Sequence, residues 1–483
     1  MNGWIAGMLL VSVAAQEGSP PTRWRGFNLL EKFTLERNRP FREEDFRLIA
    51  EWGFNYARLP LDYRIWARGA DARGIDEAAL REIDAAVEYG RRTGVHVALN
   101  FHRAPGWCVN PPAEPRSLWT DPEVLETCAR HWAAFARRYR EVPPERLSFN
   151  LLNEPADVAP ELYERVVRAL AEAIRREDPR RPIVADGLKW GTVPVPELAP
   201  LGVGQSLHHY RPFRLTHYRA PWVAGSNDWP EPTWPERRGL SGMLYGPDQG
   251  ALHGPLLFRG RLEGPFTIRV KTVSRLARLV VRADGGVVLD RRLVSGPERG
   301  EAREVVWKEE LKVYQNLFDR DYTAPVPKGT REVSLEVAEG DWMSFSRLRI
   351  GTTEVIPADF EWGRRPEAIS IDARGRPDFS IFPIACDRDT LARECIGPWK
   401  ALQAKGVPVH VGEIGVYRRT PHEVALAWLD DSLALFQEAG WGWALWELRG
   451  AFGVLDSGRE DVAYEDFRGR KLDRRMLEIL RRR

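Results

Sequence analysis

Two glutamates end apolar runs in this chain. Glu154 closes Leu147-Ser-Phe-Asn-Leu-Leu-Asn-Glu-Pro155, and Glu413 stands in Val407-Pro-Val-His-Val-Gly-Glu-Ile-Gly415. Both runs have the length and composition of a strand buried in a parallel sheet. Packing asks for no acid at either place, because Leu152 and Val411 already serve the apolar pattern. Two carboxylates on separate strand ends of one parallel sheet can be brought face to face. Such a pair suits acid/base chemistry on a glycosidic bond.

The elements that must position these acids alternate along the chain. Strands are expected at Arg25 to Leu30, Tyr56 to Pro60, Val95 to His102, the run before Glu154, Pro182 to Gly187, Val203 to Tyr210, the run before Glu413, and Trp441 to Leu448. Between them the pattern predicts helices near 42–52, 76–93, 122–140, 161–177, 389–405 and 421–439, with a last one near 473–482. Asp121 reads as an N-cap with Pro122 in the first turn. Eight strands alternating with helices predict an α/β fold, a closed (β/α)8 TIM barrel, and no Gly-x-Gly-x-x-Gly turn follows the first strand to favour a dinucleotide fold. Barrel chemistry sits at the C-terminal strand ends. Arg58, His102, Asn153, Glu154, His208, Tyr210, Glu413 and Trp446 all fall there.

After the sixth strand the rhythm breaks for about 150 residues, far beyond loop length. Short β-rich runs with turns such as Ala283-Asp-Gly-Gly286 predict a β-sandwich inserted in that loop. The expected organisation is a leader over residues 1–22, a barrel over 23–224 and 376–483, and the sandwich over 225–375. A domain in a βα loop emerges on the active-site face.

Composition narrows the function. A net charge of +2 gives no reason to expect nucleic acid or an acidic membrane as partner. Nineteen tryptophans favour sugars, whose C–H faces stack on indole. The first fifteen residues, MNGWIAGMLLVSVAA, resemble a short signal peptide and are too short to span a membrane. A secreted or periplasmic monomer is expected. Cys108, Cys128, Cys386 and Cys395 are too few and too scattered for a disulfide scaffold or a zinc site.

The constellation resembles the cellulase family, glycoside hydrolase family 5. The match lies in Asn153-Glu154-Pro155, Glu413, Arg58 in Asn55-Tyr-Ala-Arg-Leu-Pro60, His102 in Leu99-Asn-Phe-His102, His208 and Tyr210 as His-x-Tyr, and Trp446. The stretch Tyr210 to Trp222 also resembles a loop of some bacterial members. The resemblance implies a retaining β-glycosidase of endo-β-1,4-glucanase type, with Glu154 as acid/base and Glu413 as nucleophile. Arg58 would stand beside Glu413, where a cation favours a charged carboxylate. By the same resemblance Asn153 holds the sugar 2-OH, Tyr210 orients Glu413, His208 and His102 line the subsite, and Trp446 forms its stacking floor. Trp190 in Gly187-Leu-Lys-Trp190 is a candidate for a flanking sugar. The partner would be a β-glycan, with no cofactor.

The insert ends in Val337-Ala-Glu-Gly-Asp-Trp342, which resembles a strand of β-sandwich carbohydrate-binding modules. β-Mannanase and exo-acting β-glucosidase are alternatives within the family. A non-catalytic glycan-binding barrel would be expected to have lost an acid, and this chain keeps both. A metal-dependent barrel hydrolase would need a ligand pair such as His-x-His on the first strand, where Phe27-Asn28-Leu29 stands.

Overall fold

Eight strands close into a ring. They are β1 (Arg25–Asn28), β2 (Tyr56–Asp62), β3 (His96–Ala104), β4 (Leu147–Asn150), β5 (Ile183–Asp186), β6 (Gly204–His209), β7 (Val409–Ile414) and β8 (Trp443–Leu445). Each pairs in parallel with its neighbours, and β1 lies between β2 and β8 to complete the circle. The computed structural model describes residues 23–483, so the leader expected over residues 1–22 lies outside the described residues.

The helices follow the expected alternation: α1 (Glu43–Glu51), α2 (Glu77–Thr93), α3 (Pro122–Tyr139), α4 (Pro160–Glu177), α5 (Gly397–Gln403), α6 (His422–Ala439) and α7 (Arg474–Arg482). Local sequence sets their ends. Asp76 accepts from the backbone N–H groups of Ala78 and Ala79 to start α2, and Asp121 accepts from Glu123 N–H to start α3, with Pro122 in its first turn. Among the described residues no helix is long and apolar enough to cross a membrane.

Strand alternation sorts side chains between the helices and the barrel interior. In β3 the Phe101 ring stacks on Trp132 of α3 at 3.8 Å and meets Phe135 edge-on at 5.3 Å. On the opposite face Asn100 donates from Nδ2 to the Asn150 carbonyl of β4, and His102 follows it on the same side. Two strand ends differ from expectation. β4 stops at Asn150, four residues before Glu154, and β8 is only three residues long.

The chain divides into two compact units. One is the barrel: residues 23–209 with Pro398–Ile414 and Leu435–Leu448. The other comprises Tyr210–Gly397, Gly415–Ala434 and Arg449–Arg483, a wider span than the expected insert. Hydrogen bonds explain its breadth: Trp234 Nε1 donates to Asp431, Trp428 Nε1 to the Arg211 carbonyl, and Thr420 Oγ1 to the Leu215 carbonyl.

Within this second unit two long, bulged strands, Leu256–Ala283 and Val313–Ile350, cross from one sheet layer to the other. In one layer residues 333–337 lie between 256–259 and 279–283; in the other residues 266–270 lie between 320–324 and 345–350. Their inward residues, Phe258, Ile268, Leu335 and Phe345 among them, form one apolar core. In the sequence the strand that opens at Val313 is legible only in pieces, Glu332 to Val337 and Ser346 to Ile350, because charged residues interrupt it. All four cysteines are free thiols.

Replacing Phe101 with Ala removes the ring that joins β3 to α3. A buried Phe→Ala change costs about 3–5 kcal/mol. Urea unfolding followed by tryptophan fluorescence should therefore show a clearly lowered midpoint for the variant.

Candidate active site

Arg58 stands on β2 with its side chain 1% exposed. Inside a barrel an unpaired guanidinium would be prohibitive, so its donors must be spent. Nε donates to Asn150 Oδ1 at 2.9 Å, and Nη1 donates to Asn28 Oδ1 at 3.0 Å and to Glu413 Oε1 at 2.7 Å. Nη2 donates to Asn153 Oδ1 at 2.8 Å and lies 3.7 Å from Asp186 Oδ2. Asn28 donates in turn to the carbonyls of Gly412 and Leu445, on β7 and β8.

His208, on β6, meets three carboxylates. Its Nδ1 is 2.8 Å from Glu154 Oε1 and 3.6 Å from Glu413 Oε2, and its Nε2 is 3.2 Å from Asp186 Oδ2, close but poorly aligned for a hydrogen bond. Burial works against charge on the ring, but Glu413, Asp186 and Glu154 outweigh it and hold the imidazole protonated up to about 10. Glycines make the space: a Cβ at Gly412 would sit 2.4 Å from Ser206 Oγ and 3.1 Å from His208 Nε2.

Glu154 lies past the end of β4 in left-handed backbone, φ 47°. This costs of order 1–3 kcal/mol for a residue with a Cβ, and Pro155 restricts it further. Its N–H donates to Asp186 Oδ2 at 3.1 Å, which holds the turn. Burial raises the Glu154 pKa, and the charge on Glu413 adds to that, while the His208 hydrogen bond opposes it. Burial would also raise Asp186, but the His208 charge leads a set of contacts, including Arg58 and Asn150, that leaves it well below the carboxylate range. Glu154 is the more accessible of the facing pair, with 16% of its side chain exposed against 5% for Glu413.

Two donors in the barrel are unspent. Asn153 Nδ2 and His102 Nδ1 are buried without a hydrogen-bond partner among the described residues. Asn110 Nδ2 lies 3.1 Å from His102 Nε2, which makes Nε2 the acceptor and leaves the proton on Nδ1. Burial foremost, then Arg58 and His208, keeps His102 neutral, well below its ordinary pKa. Trp446 follows β8, half-buried, its ring stacked against His102 at 5.7 Å and edge-on to Phe33 at 5.4 Å.

The barrel thus brings together Arg58, His102, Asn153, Glu154, His208, Glu413 and Trp446. Trp190 stands outside this network: it is 51% exposed, on a turn after β5 whose backbone N–H donates to the Pro155 carbonyl. Tyr210 follows β6 directly and falls in the second unit, its ring edge-on to His217 at 5.2 Å and Phe452 at 6.4 Å. Donor atoms of Glu154, His208 and Glu413 all lie within 4.8 Å of one another, a spacing that suits a metal ion.

A family profile described as Cellulase (glycosyl hydrolase family 5) matches residues 15–234. That stretch, 220 of the chain's 483 residues, is similar to the family. Among curated proteins it is similar to endoglucanase C of Acetivibrio thermocellus, 28% identical over 184 residues, covering 37% of this chain and 53% of that protein. Cellodextrinase A of Ruminococcus flavefaciens is 28% identical over 191 residues, covering 38% and 55%. The chain therefore spans about half the length of the curated relatives it matches. Among solved structures, one described as a glycoside hydrolase is 28% identical with a TM-score of 0.62, covering 95% of this chain and 99% of that one. Endoglucanase Cel5A of Thermotoga maritima shares the fold at 18% identity and TM-score 0.52, over 94% of this chain and 96% of that one.

In this barrel, sequence reading missed Asn28, Asn150 and Asp186. Each is a polar residue ending a buried strand, the signal that singled out Glu413.

Replacing Arg58 with Met should leave Glu413 and the amide oxygens of Asn28, Asn150 and Asn153 without their shared donor. The expected cost is about 3–5 kcal/mol, as for breaking a buried ion pair. Arg91→Met, which breaks an exposed pair with Glu88 on α2, should leave the urea midpoint unchanged.

Proposed function

We propose that this chain is a retaining β-glycosidase that cleaves β-linked glucan by double displacement. The observation that carries the reading is the approach of Glu154 and Glu413, whose oxygens lie within 4.8 Å. Retaining enzymes place the two carboxyl groups about 5–5.5 Å apart, whereas inverting enzymes leave about 6.5–9.5 Å for a water. The short approach favours retention.

In the first step Glu413 attacks the anomeric carbon as the bond to the leaving oxygen breaks, and Glu154 gives its proton to that oxygen. The sugar is then esterified to Glu413. That ester removes the charge which helped keep Glu154 protonated, so Glu154 ionises more readily. In the second step Glu154 takes a proton from water as the water attacks the anomeric carbon, and Glu413 leaves as carboxylate. The unspent donors of Asn153 and His102 suit sugar hydroxyls, and Trp446 offers an indole face. Tyr210 is retained as a candidate for substrate binding, Trp190 for a flanking sugar, and the inserted sandwich for a carbohydrate-binding role. The curated relatives' names, endoglucanase, cellodextrinase and glucan 1,3-beta-glucosidase, favour glucan over mannan.

Three measurements test this. Glu413→Gln should abolish turnover, and a 2-deoxy-2-fluoro glycoside should label Glu413; inversion of configuration by NMR would refute the mechanism. Glu154→Ala should lose about 10²–10⁴-fold on substrates whose leaving group needs a proton. It should keep activity on activated aryl glycosides, with azide yielding the β-glycosyl azide. Because the first step needs protonated Glu154, whose pKa is raised, kcat/KM should fall as pH rises through a value above the ordinary glutamate range. A limb that persists in Glu154→Ala on activated substrates would assign it elsewhere. Product profiles on β-glucan, mannan and xylan oligosaccharides decide the sugar.

A further inference from the structure

Asp186 ends β5 with its side chain wholly buried. Donors and cations surround its carboxylate. Oδ1 accepts from Asn150 Nδ2 at 2.8 Å, and Oδ2 accepts from the Glu154 N–H at 3.1 Å. His208 Nε2 lies 3.2 Å and Arg58 Nη2 3.7 Å from that same Oδ2. The backbone of Asp186 is pinned as well, because Tyr163 Oη of α4 donates to its carbonyl at 2.7 Å. Carboxylate and carbonyl therefore both have fixed partners. The side chain is shut off from solvent and its oxygens already meet these groups, so no reacting role is assigned to it.

We propose that Asp186 is the positioning residue of the catalytic pair: a single carboxylate oxygen receives the Glu154 N–H and faces the His208 ring, and so fixes where the Glu154 carboxyl points. The inference rests on the reading of Glu154 as the acid/base. Its left-handed backbone needs a restraint, and the bond to Asp186 supplies one at the residue itself. His208 supplies the second restraint, from the other end. With Asp186 at Nε2 and Glu154 at Nδ1, both ring nitrogens face acceptors, so both keep their protons. A ring N–H donated to Glu154 Oε1 leaves Oε2 to carry the acid proton, and that oxygen is then free to face the leaving group.

The groups facing His208 bear this out in sign. Glu413, Asp186 and Glu154 favour its charge, and burial opposes it. Removing one of the three carboxylates should tip the balance. Relative to about 10 in the native protein, the His208 titration should then move down.

Asp186→Asn tests the idea in the full chain. Asparagine keeps the volume but offers one oxygen and one NH2 group to neighbours that are all donors. The expected result is a loss of about 10²-fold in kcat, with KM little changed, on glycosides whose leaving group needs a proton, the scale of a small misplacement of a catalytic group. Activated aryl glycosides should react at nearly the native rate in the bond-breaking step. Equal losses on both substrate classes would mean only general damage and would overturn the proposal.

A second readout needs no substrate. Nitrogen NMR of the native protein, with His208 assigned by its absence from His208→Gln, should show both ring nitrogens protonated at pH 8. A neutral ring there would also overturn the proposal. Absence of turnover on every glycoside would instead defeat the glycosidase reading, leaving the nitrogen titration to decide whether Asp186 holds His208.

Discussion

The barrel interior is organised around one buried guanidinium. Arg58 cannot be deprotonated and cannot reach water, so every strand near it has to contribute an acceptor. Asn28 of β1, Asn150 and Asn153 at the end of β4, and Glu413 of β7 do so. They come from three distant stretches of sequence, which meet only when the ring is closed. A half-closed barrel would leave the charge with part of its partners, at a cost comparable with a large share of a domain's stability. The interaction that holds Glu413 is thereby also one that rewards correct closure. Planarity matters here, since a lysine in the same place would present one compact head where three nitrogens are used.

Around Arg58 the charges are arranged in alternation. Asp186 stands between Arg58 and His208, and His208 between Asp186 and the facing glutamates. Buried polar networks are favourable only when each member is satisfied. In this barrel Asn153 Nδ2 and His102 Nδ1 are donors without a partner among the described residues, in the region where the proposed sugar would bind. The unmet capacity of the network is thus concentrated where a hydroxyl-rich ligand can meet it.

Much of this was legible in the sequence. Strand and helix periodicity located the eight strands and their helices because the barrel buries strands on both faces and helices on one. The polar residues that interrupt apolar runs, Arg58, His102, His208 and Glu413, stood out for the same reason. What escaped was conformational or relational. Nothing in Leu-Leu-Asn-Glu-Pro states that Glu154 leaves the strand by a left-handed turn, and the turn exists because Asp186, thirty-two residues on, receives its N–H. Asp186 itself, followed by Gly187, reads as an ordinary loop entrance. In the second unit, the two long strands escaped because their bulges and charged positions break the period-two pattern into fragments. The breadth of that unit rests on single hydrogen bonds, such as Trp234 to Asp431, that no local pattern encodes.

The free thiols carry a consequence of a practical kind. Oxidation proceeds through the thiolate, and burial pushes Cys108, Cys128, Cys386 and Cys395 all above the ordinary thiol range. At neutral pH each is therefore held in its unreactive form. The chain can fold without an oxidising partner or a disulfide isomerase, and air exposure during purification has little purchase on it. A protein of this kind can be produced in a reducing host compartment and stored without added thiol.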